Sequence, residues 1–237
     1  MKSQKILMMR MLCLRQKVKP CKFQSISICE YKNSNMNKDE AACHIKKAIE
    51  ELIHDFKEFP NKYLTEEDVR IHLCFLLMRH FGCIQKTADN DRSIALHTEV
   101  RWWGENESKE LSDIVIFNVE GMSVTPNEIR SQKRHRLIPR KGYAADTAEA
   151  VIELKLRRND GCSDAQYISK INSDIDKLEK ISMWFCNENK KTSFWVVALD
   201  KKSEIQEDKI PRSKTESVNF RYGYSSVYND VAEAEYK

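Results

Sequence analysis

The sequence predicts an α/β domain, and two observations carry that expectation. Three long stretches repeat apolar residues at three- and four-residue spacing, and four shorter ones are apolar runs rich in β-branched and aromatic residues. From the second helix onward the order is helix, strand, strand, strand, helix, strand.

The first helix lies in NKDEAACHIKKAIEELIHDF, where Ile45, Ala48, Ile49, Leu52, Ile53 and Phe56 share one face and Pro60 ends the run. The second begins near Thr65, an N-cap with acids behind it, and runs to about Phe81 before Gly82. Its buried stripe is Val69, Leu73, Leu76, Leu77 and Phe81. IALHTEVRWW and SDIVIFNV read as strands joined by the turn GENESKE. Residues 118–147 lack a period, contain Pro126 and Pro139, and read as an insertion between strands. VIELKL is the third strand. After the turn RRNDGCSD, a helix places Ile168, Ile171, Ile175, Leu178, Ile181 and Phe185 on one face, and SFWVVALD is the final strand. Beyond residue 203 the chain is polar and charge-rich, which predicts a peripheral tail at 204–237.

With 237 residues, 41% of them hydrophobic, the chain can bury a substantial core, and one main domain at 36–203 is expected. Residues 1–35 carry eight Lys or Arg against the single acid Glu30, without a sustained period, and read as a basic, poorly ordered extension. That excess exceeds the net charge of +4, so the remainder is mildly acidic and would meet nucleic acid through a local patch. The eight cysteines show no C-x-x-C or paired Cys/His spacing, which argues against a zinc site. No export signal or membrane span is recognisable, so a reducing cytoplasm is the expected compartment. The histidines form no H-x-x-x-H or H-E-x-x-H pattern.

The third strand carries an anomaly. Alternation puts Glu153 and Lys155 together on one face of VIELKL and Ile152, Leu154 and Leu156 on the other. This is either an amphipathic strand with a salt bridge or part of a metal site. On the second strand Asp113 precedes Ile114, Val115, Ile116 and Phe117, where a buried sheet emerges. If the strands are neighbours, Asp113 and Glu153 can converge on one hard cation such as Mg2+, with Mn2+ a substitute, and Lys155 can stabilise charge developing on phosphorus. Lys155 and the cation would then relieve the repulsion between the acids.

Ser112-Asp113 and Glu153-Leu154-Lys155, on successive strands after an acid-capped helix, resemble the PD-(D/E)XK nuclease superfamily over roughly residues 60–200. Ser112 stands where the name-giving proline would be, and the long gap between the motif halves fits an insertion. The resemblance implies a restriction-endonuclease-like core, a central mixed β-sheet flanked by α-helices, and magnesium-dependent phosphodiester hydrolysis. It also implies a carboxylate from the first core helix. Glu66 lies on the Val69–Leu73 side, while Glu67 is rotated about 100 degrees away and is the reserve. Helix capping explains both acids equally well.

Arg130, Lys133, Arg134, Arg136, Arg140 and Lys141, together with His135, form a basic run that would contact phosphates, or is simply a solvated segment. Of Trp102 and Trp103, one is expected to face the core, and neither receives a site role. The leading expectation is a magnesium-dependent nuclease acting on DNA. The alternative is a non-catalytic nucleic-acid-binding protein that keeps the fold, and a structural protein with surface charges is the third class. No membrane partner is expected, and a homodimer stays open.

Overall fold

The first helix, α1 (Lys38–Glu58), has Asp39 and Glu40 in its first turn and Lys57 in its last, which suits the helix dipole. It buries Ile45, Ala48, Ile49, Leu52 and Phe56. A 3-10 turn at Pro60–Lys62 reverses the chain into α2 (Glu66–Phe81). Thr65 Oγ1 accepts a hydrogen bond from the Asp68 backbone N–H, and the Asp68 carboxylate accepts from the Thr65 backbone N–H at 2.9 Å. This reciprocal box fixes where α2 begins. Val69, Leu73, Leu76, Leu77 and Phe81 are its buried residues, as the periodicity predicts. Burial pushes the Cys74 thiol up to about 11, so it behaves as a small hydrophobe.

These helices pack on each other and on a five-stranded sheet. The computed structural model describes residues 38–103, 109–125, 143–145, 147–185 and 192–225. The expected extension at 1–35 therefore lies outside the described residues. The strands are β1 (Leu96–Trp103), β2 (Lys109–Phe117), β3 (Ala148–Arg157), β4 (Ser193–Asp200) and β5 (Val218–Tyr224). They stand in chain order. β1, β2 and β3 pair antiparallel, and β3, β4 and β5 pair parallel, so the sheet is mixed. The third helix, α3 (Asp164–Phe185), makes the crossover that a parallel β3–β4 pair requires, and buries Ile171, Ile175, Leu178 and Ile181. Among the described residues no helix is long and apolar enough to cross a membrane.

The sheet extends one strand beyond the expected final strand at 193–200. β5 pairs with β4 from Phe194↔Val218 to Asp200↔Tyr224, inside the stretch expected to be a polar tail. β5 packs closely at Gly223, where a Cβ would come within 3.1 Å of side-chain carbons of both Ile53 and Leu199. The approach to β5 is anchored by Glu179 of α3, whose Oε1 accepts from Ser213 Oγ at 2.6 Å and from the Lys214 backbone N–H at 2.7 Å. The ends of β3 and β4 are joined by Arg157 and Asp200, both fully buried. Arg157 Nε donates to Asp200 Oδ1 at 2.9 Å, a second guanidinium nitrogen donates to Oδ2, and Tyr222 donates its hydroxyl to the same carboxylate at 3.1 Å.

The segment between β2 and β3 is tied down at its root. Met122–Ser123 pairs with Ala144–Ala145, and Asp89 Oδ2 accepts from the backbone N–H groups of Val124 at 2.7 Å and Thr125 at 2.6 Å. Residues 126–142, which hold the basic run, are not among the described ones.

Candidate functional site

β2 and β3 are adjacent, with Ile114 opposite Ile152 and Val115 opposite Val151. Asp113 is the next residue outward from that ladder. Its Oδ2 accepts a hydrogen bond from the Leu154 backbone N–H at 2.8 Å, which ties the acid to the strand that carries Glu153 and Lys155. Its Oδ1 accepts from Arg70 Nη2 at 2.7 Å. Arg70 also bonds Glu67, and reaches Glu99 Oε1 at 3.5 Å.

Glu153 is 2% exposed, an unusual place for a carboxylate. Lys177 of α3 puts its Nζ 2.6 Å from Glu153 Oε2 and donates to the Leu111 carbonyl at 3.0 Å. The other oxygen, Oε1, is buried without a hydrogen-bond partner. Burial pushes Glu153 up to about 8, with the Asp113 and Asp174 charges adding to the rise and Lys177 opposing it. Desolvation prevails over the ion pair, so this acid holds a proton far more readily than a free one.

Lys155 does not neutralise the two motif acids. Its Nζ lies 3.1 Å from Asp174 Oδ2 and 4.0 Å from Glu66 Oε1. Burial works to lower the pKa of this ammonium, but Asp174 and Glu66 outweigh it and hold the value above the ordinary range. Glu66 also accepts from the Leu156 backbone N–H at 3.3 Å, so the first turn of α2 sits against the end of β3. Glu67 points elsewhere, to Arg70, and its side chain is 57% exposed.

The four sequence-predicted residues Asp113, Glu153, Lys155 and Glu66 are thus linked through one stretch of β3, residues 153–156, by the contacts above. The neutralising roles fall differently from the expectation: Arg70 serves Asp113 and Lys177 serves Glu153. Among the described residues no group of three or more His, Cys, Asp or Glu side chains is placed to hold a metal ion. Arg130, Lys133, Arg134, Arg136, Arg140 and Lys141 lie outside the described residues. Trp102 is buried and donates its indole N–H to Ser112 Oγ at 2.9 Å, a core role for both.

Sequence reasoning missed Arg70, Asp174 and Lys177. For Asp174 a signal existed: it stands three residues after Ile171 and four before Leu178, which puts an acid on the apolar stripe of α3.

The backbone adds one strained position. Between the pairs Thr98↔Ile114 and Val100↔Ser112 the β1–β2 ladder passes over Glu99 and Asp113, and Glu99 has φ 51. A non-glycine residue in the left-handed region costs about 1 kcal/mol or more. Here it sits beside Arg70 and opposite Asp113.

Compared with known proteins, the chain matches no protein-family model, no curated protein and no solved structure.

Proposed function

We propose that this chain is a magnesium-dependent nuclease with a restriction-endonuclease-like core, hydrolysing phosphodiester bonds, of DNA first. The observation that carries the reading is the convergence on β3: Asp113 bonds the Leu154 N–H, Glu66 bonds the Leu156 N–H, and Glu153 and Lys155 lie between and beside them. The helix, three antiparallel strands, helix and parallel strand follow the order read from the sequence, with β5 as an addition, and the mixed sheet with helices packed on it supports the reading.

The acids suit a hard cation. Carboxylate oxygens are the ligands that magnesium takes, and Glu153 Oε1 is a buried oxygen with no protein donor to satisfy it. Asp113 and Glu153 would hold the ion, with Asp113 Oδ1 exchanging its bond to Arg70. Bound there, magnesium would act as a Lewis acid toward the phosphoryl oxygen and lower the pKa of a coordinated water. Lys155 supplies a fixed positive charge for the transition state, where negative charge grows on the phosphoryl oxygens. Glu66 holds the end of β3 and one side of the Lys155 ammonium.

A second reading has one observation in its favour. Arg70 and Lys177 already neutralise Asp113 and Glu153, as suits a non-catalytic nucleic-acid-binding protein that keeps the fold. Titration calorimetry with Mg2+, repeated with Mn2+, separates the two. The nuclease reading expects one divalent site in the wild type that Asp113→Asn and Glu153→Gln each abolish. Heat signals identical across the three proteins would favour the binding-only reading.

A further inference from the structure

We infer that Asp174 of α3 is a positioning residue for Lys155, holding its ammonium where the chemistry of the proposed nuclease needs a fixed positive charge; the inference rests on that nuclease reading.

The geometry comes from two periodicities that match. Glu153 and Lys155, two apart on a strand, are separated by about 6.6 Å along one face, and Asp174 and Lys177, three apart on a helix, by about 5–6 Å. α3 lies against that face with its charges in reverse order. The strand acid meets the helix base, with Lys177 Nζ 2.6 Å from Glu153 Oε2, and the strand base meets the helix acid, with Asp174 Oδ2 3.1 Å from Lys155 Nζ, an ion pair whose angles fall outside those of a hydrogen bond. Asp174 Oδ1 and Lys177 Nζ, 3.5 Å apart, close the helix side of the arrangement. Neither strand charge therefore depends on the other for its partner.

Lys155 gains most from this. A lysine side chain carries about 2 kcal/mol of rotamer freedom on a flexible stem, and its ammonium is a point charge that selects no direction by itself. Asp174 from α3 and Glu66 from α2 flank that ammonium with two carboxylates on different elements. A charge so placed needs little reorganisation when negative charge develops beside it.

Stability alone does not account for the acid. The Asp174 side chain is 11% exposed, on a stripe of isoleucines and leucines where an apolar residue would pack. Replacing a buried ion pair by apolar side chains is often neutral or stabilising, so the pair with Lys155 adds little to the fold. What an acid supplies there and an apolar side chain does not is a fixed site for the ammonium.

The test compares wild type, Asp174→Asn and Asp174→Glu in steady-state cleavage of duplex DNA with Mg2+, alongside melting temperature and Mg2+ titration of each protein. The inference expects Asp174→Asn to lower kcat on the order of a hundredfold, the cost of misplacing a reacting group by about 1 Å. KM and Mg2+ affinity should stay near wild type. The melting temperature should fall, because Lys155 loses a partner from one side only, so kcat is read at a temperature where every variant is fully folded, and Asp174→Glu should recover most of the loss in kcat. Asp174→Ser replaces the Asn variant if that protein fails to fold. A kcat within about threefold of wild type overturns the inference, as does a kcat that falls only in step with metal affinity; the threefold corresponds to about 0.65 kcal/mol. Cleavage by wild type with an unaffected Asn variant removes the positioning role alone, whereas a wild type that cleaves nothing removes the nuclease reading and this inference together.

Discussion

Lys177 Nζ stands 2.6 Å from Glu153 Oε2, so the buried acid of β3 is neutralised from a helix rather than by the lysine two residues along its own strand. That single contact reassigns the charges of the VIELK segment. It frees Lys155 to pair with Asp174 and Glu66, and it makes α3 part of the candidate site.

Removing the Lys177 charge should be costly, but less so than for most buried pairs. Breaking a buried pair from one side typically costs about 3–5 kcal/mol because a lone charge is left behind. Glu153, already pushed up to about 8, can instead take up a proton. Lys177→Met should therefore lose about 2 kcal/mol in urea denaturation of the metal-free protein, the worth of a charged hydrogen bond. Adding Glu153→Met should recover part of that loss. A single variant as stable as wild type would show that the contact contributes nothing.

Glu99 tests the strained strand. With φ 51 it occupies a conformation that glycine adopts without steric cost. Glu99→Gly should keep or raise stability, by up to about 1 kcal/mol, while Glu99→Val should lower it by at least that amount. Denaturation curves that rank valine above glycine would contradict the backbone assignment.

Glu179 gives a pH prediction. Its bonds to Ser213 first, and to the backbone of Thr215 and Lys214, outweigh the effect of burial and hold its carboxyl below the ordinary carboxylate range. A folded value below the unfolded one means stability that is fully present above about pH 4.5, the unfolded value, and lost as pH falls through the folded one. Glu179→Gln should cost about 1.5–3 kcal/mol at pH 7 and distinctly less at pH 3, read by denaturant unfolding at both. An equal loss at both pH values would mean that the charge of Glu179 is not what anchors residues 213–215.

The sequence made legible what depends on local period and local chemistry. The α2 stripe, the Thr65 cap, the four strands up to Asp200 and the burial of one of the two adjacent tryptophans all follow from spacing or from adjacent residues, although which tryptophan, Trp102, does not. β5 carried a local signal that the expected polar tail passed over: Val218, Phe220, Tyr222 and Tyr224 alternate with Asn219, Arg221 and Gly223 at the period of a strand, but a long polar stretch precedes them, and the parallel pairing with β4 is not written in the local sequence. The acids and lysine of the motif could be named for a similar reason, since their order and faces are local. Their partners could not. Which base meets Glu153 depends on how α3 crosses β3, and Arg70 reaches Asp113 across 43 positions of chain.

The most direct measurement is cleavage itself, by gel assay on single-stranded and duplex DNA with Mg2+ and with chelator, for wild type, Asp113→Asn and Lys155→Ala. Wild type should cleave only when the divalent ion is present, and each variant should lose activity on the order of a hundredfold or more, while Lys155→Ala still binds Mg2+ because lysine is not a ligand. Wild-type protein that cleaves no substrate under any of these conditions, or variants that cleave as fast as wild type, would contradict the nuclease reading and leave VIELK as an amphipathic strand.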